Sequence, residues 1–197
     1  MPYYRRRRRA GGTFFLTLVT QNRAPLFTTD ATRALLRTAI DRCRELHPFT
    51  LDAAVLLPDH VHLLLTLPQG DDDYPLRLAN LKANFTRAYL ATGGEEQERS
   101  AARVRQRTRG VWLKRYWEHT IRDADDLRNH YDYVCYNAVK HGLVACPHAW
   151  PHSSFHRLVT DRRYAADWCC RCDRGHGPIP LIPEPPAFAA IAEASGE

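Results

Sequence analysis

The spacing of apolar residues changes period several times along the chain, and each change marks an element. Residues 13–20 (TFFLTLVT) are rich in β-branched and aromatic side chains and predict a first strand. Residues 30–46 carry Leu35, Leu36, Ala39 and Ile40 at helical spacing. Residues 49–57 and 61–67 predict two strands joined by a tight Pro58-Asp59 turn, with His60 at its exit. Residues 75–90 predict a second helix, opened by Pro75, with Leu78, Leu81, Phe85 and Tyr89 on one face. Residues 91–110 are polar and charged, include Gly93-Gly94, and read as a mobile connection. Residues 111–121 predict a last strand and 124–137 a last helix. Asp123 suits its N-cap, and Asp125 and Asp126 suit the positive end of its dipole. The order βαββαβ is that of an α+β, ferredoxin-like sandwich with an antiparallel sheet. The expected organisation is a basic arm over 1–12, one domain over 13–168, and a poorly ordered Cys-containing, Pro/Ala-rich tail over 169–197.

Candidate chemistry lies in Leu57-Pro58-Asp59-His60-Val61-His62-Leu63-Leu64-Leu65. Alternate residues of a strand share a face, so His60 and His62 point the same way. Two imidazoles are costly to bury unless ligated or hydrogen-bonded, and side by side they make half of a divalent-metal site. The other reading is a pair of satisfied or surface histidines. In the last helix, Leu127, Tyr131 and Val134 follow apolar spacing, while Tyr133 and Asn137 are four apart and share a face. Together the strand and the helix offer a tyrosine nucleophile beside three metal ligands, His60, His62 and Asn137. Tyr131 lies about 200° around the helix from Tyr133, whereas Tyr136 is a geometric rival one turn on. Without the histidine pair, all three tyrosines read as aromatic packing on an amphipathic helix.

Charge narrows the partners. The 197 residues carry a net charge of +6 and a pI near 9.1, which favours a polyanion. No apolar run reaches the length of about 18 residues needed to span a membrane, and the N-terminus lacks a secretory signal. Arg5, Arg6, Arg7, Arg8 and Arg9 must be exposed, either as a solvated tail or as an arm on nucleic acid. Lys82, Arg87, Lys114, Arg115, Lys140 and Arg157 are further candidates for phosphate contact, though taken singly each reads more readily as plain surface charge. Trp112, Trp117, Trp150 and Trp168 suit either packing or base stacking. The six cysteines are unevenly spread and read as reduced thiols. Cys169, Cys170 and Cys172 with His176 suggest zinc, but they crowd together where a closed site needs four well-spaced ligands. Asp71-Asp72-Asp73 reads as a cap for the helix that follows.

Several segments together carry a resemblance. They are Leu57-Pro58-Asp59-His60-Val61-His62; Gly70-Asp71-Asp72-Asp73-Tyr74; Arg115-Tyr116-Trp117-Glu118-His119-Thr120-Ile121-Arg122; Asp132-Tyr133-Val134-Cys135-Tyr136-Asn137-Ala138-Val139-Lys140-His141-Gly142; and Trp150-Pro151-His152-Ser153-Ser154-Phe155-His156-Arg157, with Tyr164 and Trp168 after it. In order and spacing the chain resembles the REP-associated tyrosine transposases, relatives of the small single-strand transposases with a His-hydrophobic-His (HUH) motif. The resemblance spans about residues 3–168. It implies a ferredoxin-like sheet with the histidines on a central strand, and Tyr133 as the nucleophile. It also implies Mg or Mn as cofactor and hairpin (palindromic-repeat) single-stranded DNA as partner. The implied product is a 5′-phosphotyrosine link with a free 3′-hydroxyl, made beside a guanine-containing tetranucleotide to which an N-terminal arm could contribute. The implied setting is the bacterial cytoplasm and nucleoid, as monomer or dimer. Ala138 stands where the family usually has Pro, a change easily accommodated. The alternative is a non-catalytic hairpin DNA- or RNA-binding protein of the same fold.

Overall fold

The computed structural model describes residues 9–171. Strands β1 (Thr13–Val19), β2 (Thr50–Leu56), β3 (His60–Thr66) and β4 (Trp117–Thr120) form one antiparallel sheet in the order β2-β3-β1-β4. Helices α1 (Asp30–Leu46) and α2 (Tyr74–Ala91) carry the chain back across one face, so β3 lies between β1 and β2. The expected α+β, ferredoxin-like arrangement is present.

β1 and β3 are interior strands covered on both faces, so they read as nearly continuous apolar runs. Phe14, Leu16 and Leu18 of β1, with Val61, Leu63 and Leu65 of β3, pack in a core with residues of α1 and α2. Phe15 and Leu64 belong to a second core on the opposite face. Helix α4 (Ala124–Lys140) and helix α5 (Phe155–Thr160) supply Tyr133, Val134, Phe155 and Leu158 to that second core. The two cores explain why a single one-residue slip of β3 would be costly: it would exchange Leu63 with His62.

Helix starts are set locally. Thr29 caps α1, Asp73 caps α2 with Pro75 in its first turn, and Asp123 caps α4 by accepting from Asp126 N at 2.8 Å. Asp71 holds the buried Arg77 guanidinium at 2.6 Å, and Arg77 also donates to the Pro48 carbonyl at 2.7 Å. The acidic triplet therefore serves the start of α2, as its position predicted. Among the described residues no helix is long and apolar enough to cross a membrane.

Three expectations are corrected. The 91–110 connection is ordered. It contains α3 (Ala101–Arg105), whose buried Arg103 donates to Gln21 Oε1 at 2.6 Å, Arg109 O at 2.9 Å and Trp112 O at 2.8 Å. A charged residue that reads as solvated in sequence is here the anchor of its segment. The strand predicted over 111–121 is limited to Trp117–Thr120, with a lone bridge between Thr20 and Trp112. Lys114 and Arg115 between them stay at the surface, and the chain leaves the ladder there. Finally, Cys146 and Cys170, 24 residues apart, form a disulfide, whereas Cys43 and Cys135 are buried thiols. The pair meets because Arg171 N donates to Ala145 O at 3.0 Å, a long-range contact that Cys spacing does not reveal. Helix α5 follows a segment that covers the edge of β2: Leu56 N donates to His152 O and Ser154 N to Ala54 O, both at 2.8 Å. The tail beyond residue 171, with Cys172 and His176, and the arm residues Arg5 to Arg8 lie outside the described residues.

Candidate active site

Strand alternation places His60, His62 and Leu64 on the α4 face of β3. Both imidazoles are buried, with ring centroids 4.9 Å apart. Each is oriented through Nδ1. His60 Nδ1 meets Asp59 Oδ1 at 2.5 Å, and Asp59 also pairs with Arg23 Nε at 2.9 Å. His62 Nδ1 meets Thr17 Oγ1 at 2.8 Å, because β1 registers Thr17 directly opposite His62. Such a partner on one ring nitrogen fixes the ring so that Nε2 is the atom that would ligate a metal. Burial lowers the His62 pKa well below its usual value, reinforced by His60, His141 and Lys140, so the ring is neutral at pH 7, the form that binds metal. Burial raises the Asp59 carboxyl, but its hydrogen bond and charge interaction with His60, and the Arg23 charge, outweigh this and leave it below the usual range.

Helix α4 lies over this face. The Tyr133 ring stands 5.2 Å from His62 and 5.5 Å from Phe15, edge-on to both. Lys140 Nζ sits 5.1 Å from the centre of the Tyr133 ring. One turn beyond Tyr133, Asn137 is fully buried, and neither its Oδ1 nor its Nδ2 has a hydrogen-bond partner among the described residues. A buried amide in that state costs on the order of 1–3 kcal/mol unless something binds it. His141, just past the helix, stacks edge-on 5.2 Å from His60. Tyr136, the rival by spacing, is elsewhere: it packs with Val139 and Cys169, and its ring lies 6.5 Å from Trp168. Tyr131 is half-buried against the second core.

The chain thus brings His60, His62, Tyr133 and Lys140 to one place, with the buried Asn137 one helical turn from Tyr133 on α4. A curated protein of Haemophilus influenzae named as a REP-associated tyrosine transposase is 44% identical over 168 residues, 85% of this chain and 93% of the relative. This chain belongs to the REP-associated tyrosine transposases. The named REP-associated tyrosine transposase of Escherichia coli is 39% identical over 169 residues, 85% of this chain and 91% of its own. A solved REP-associated tyrosine transposase bound to a REP hairpin superposes with a TM-score of 0.73 at 36% identity, covering 94% of this chain and 98% of that one. No family model matches the chain.

The other candidate DNA contacts divide. Lys82 Nζ donates to Leu113 O at 2.6 Å and Lys114 Nζ to Gln106 Oε1 at 3.0 Å. Both line a cleft of about 530 Å³ with Arg87, Arg109 and Trp112, on the α2 side of the sheet, away from the histidine pair. Arg115 is exposed beside it. Arg9 Nη1 donates to Ile121 O at 3.2 Å.

Sequence reasoning missed one cluster near the site. His119 Nε2 meets Asp126 Oδ2 at 2.8 Å, His130 Nδ1 lies 3.2 Å from Asp126 Oδ1, and the two imidazoles stack 4.6 Å apart. The three ligand atoms lie within 4.8 Å of one another. Burial pushes the Asp126 carboxyl up, but hydrogen bonds from His119 and from the Arg122 backbone and side chain bring it down to about 2. The cluster ties β4 to the first turn of α4 and so positions the helix that carries Tyr133. The i, i+4 spacing of Asp126 and His130 is its signal in the sequence; the third member comes from another element.

Proposed function

We propose that this protein cleaves and rejoins single-stranded DNA beside a hairpin, with Tyr133 as nucleophile. The observation that carries the reading is the buried Asn137 amide, without hydrogen-bond partners among the described residues, set one helical turn from Tyr133, whose ring meets His62. That donor set of two Nδ1-oriented imidazoles and one amide oxygen fits a divalent ion, suiting Mn well and Mg acceptably when phosphate oxygens complete the shell. Such an ion supplies positive charge at the non-bridging phosphate oxygens.

The chain's own residues do the rest. Tyr133 Oη attacks phosphorus and loses its proton; the P–O3′ bond breaks, and the 3′ oxygen takes up a proton. The products are a 5′-phosphotyrosine and a free 3′-hydroxyl. The phosphodiester energy is kept in the new bond, so reversal rejoins strands without a nucleotide cofactor. Lys140 holds positive charge at the Tyr133 ring, where negative charge develops as the phenol ionises. Thr17 and Asp59 hold the imidazoles against rotation, and His119, Asp126 and His130 hold the start of α4. Arg5 to Arg9, Lys82, Lys114 and Arg115 would contact the DNA backbone. The solved relative's REP hairpin supports hairpin DNA as the partner.

The test is covalent trapping. Labelled single strands carrying a hairpin and a flanking guanine-containing tetranucleotide are incubated with Mn, Mg or EDTA and run on a denaturing gel. The expected result is a metal-dependent adduct lost in Tyr133→Phe and kept in Tyr136→Phe. Tight hairpin binding with no adduct under any metal would show a binder that does not cut.

A further inference from the structure

The cysteine motif near the C-terminus plays no part in the chemistry above, yet the fold gives it partners that its spacing conceals. Cys146-Pro147-His148 forms a short turn just after α4, and Arg171 N pairs with Ala145 O at 3.0 Å, which lays Cys170 beside that turn. One ligand atom from each of Cys146, His148 and Cys170 lies within 4.8 Å of the others. Tetrahedral zinc, with Zn–S near 2.3 Å and Zn–N near 2.0 Å, sets its ligand atoms roughly 3.5–3.8 Å apart. Small side-chain adjustments therefore reach the coordination geometry. Two sulfurs and an imidazole are a donor set that selects zinc over magnesium or manganese.

We infer that, when Cys146 and Cys170 are thiols, Cys146, His148 and Cys170 bind a structural zinc ion. His148 is what separates this from a plain disulfide, since a disulfide needs no imidazole. The disulfide and the zinc site are mutually exclusive states. A thiol or phosphine reductant delivers two electrons, and with two protons converts the disulfide to two thiols; zinc then displaces those two protons. Cys169 is not a ligand, since it is turned into the cluster of Tyr136 and Val139. Burial and the Asp132 charge push its thiol up to about 11.

The site follows the C-terminal end of α4, the end away from its N-cap. Arg171 stacks 5.6 Å from the Tyr136 ring, and Trp168 packs on Tyr136. Zinc there would clamp residues 164–171 onto the helix that presents Tyr133 and Asn137, without touching the reacting groups.

The experiment uses the full chain expressed with added zinc and purified under a phosphine reductant without chelator. Metal content is measured by mass spectrometry, and cobalt is substituted for zinc to read the near-ultraviolet thiolate charge-transfer band. The expected result is about one zinc per chain and a cobalt band. Both should survive in His60→Ala/His62→Ala, which removes the proposed catalytic site, and both should be lost in Cys146→Ser and Cys170→Ser. His148→Ala, which leaves both cysteines and the surrounding packing in place, should weaken zinc retention at least tenfold. Reduced wild-type protein that retains no zinc and shows no cobalt band overturns the inference. So does zinc that departs with His60 and His62 but stays without Cys146 and Cys170.

Discussion

Asn137→Leu should make the metal-free protein more stable and abolish its activity. Leucine has the branched outline of asparagine with no polar atoms. Among the described residues, Oδ1 and Nδ2 of Asn137 are buried without hydrogen-bond partners, a state that costs on the order of 1–3 kcal/mol. The substitution removes that cost, so in EDTA the variant should be more stable than wild type by about 1–3 kcal/mol. For a chain of this size, each kcal/mol corresponds to roughly 2–4 °C, giving a rise in melting temperature of about 2–12 °C. Manganese should close or reverse the gap. A ligand at about 100 times its Kd stabilises the native state by about 2.7 kcal/mol, and the wild type gains this while the variant, short of one ligand, does not. The assay is a calorimetric melt of both proteins in EDTA and across a manganese titration, with adduct formation measured in parallel. An Asn137→Leu protein that melts well below wild type in EDTA would refute the claim that the amide is an unmet cost. Equal stabilisation of both proteins by manganese would refute its role as a ligand.

Acid should also report on Asp126. Its folded pKa of about 2 lies below the unfolded 3.8, so its contribution is complete above the unfolded value and is lost as pH falls toward 2. At about 1.36 kcal/mol per pKa unit, that is about 2 kcal/mol, and urea melts of Asp126→Asn should lose this part of the acid sensitivity. Arg103→Met should destabilise by about 3 kcal/mol, since it strips charged hydrogen bonds from Gln21, Arg109 and Trp112, and should open residues 91–110 to limited proteolysis; a resistant variant would contradict the ordering role. Lys82→Ala with Lys114→Ala should weaken hairpin binding and reduce the slope of log K against log salt by about 1–2, measured by anisotropy; an unchanged slope would remove the 530 Å³ cleft from the DNA path.

Much of the candidate site's geometry was legible because it depends on relations within single elements. Alternation along β3 puts His60 and His62 on one face whatever surrounds them, and the four-residue spacing in α4 does the same for Tyr133 and Asn137. Caps at Asp73 and Asp123 are equally local, because a side-chain oxygen reaches an amide three residues on. The ordered 91–110 segment was not legible, since its composition is that of a solvated loop and its anchor, Arg103, becomes buried only by finding carbonyls contributed from residues 109 and 112 and an amide at residue 21. The short β4 was over-read for the opposite reason: Val111 and Trp112 pack in the core while pairing with the end of β1 only through an isolated bridge.

Periodicity therefore settled the fold class, the shared face of the two histidines and the pairing of Tyr133 with Asn137. Contacts between elements settled everything that depends on which faces meet. The strand register put Thr17 against His62, helix docking separated Tyr133 from Tyr136, and chain return brought Cys146, His148 and Cys170 together. The physical reason is that backbone geometry repeats over a few residues and is written into spacing, whereas docking is chosen by the burial of whole apolar faces, which no short stretch of sequence contains.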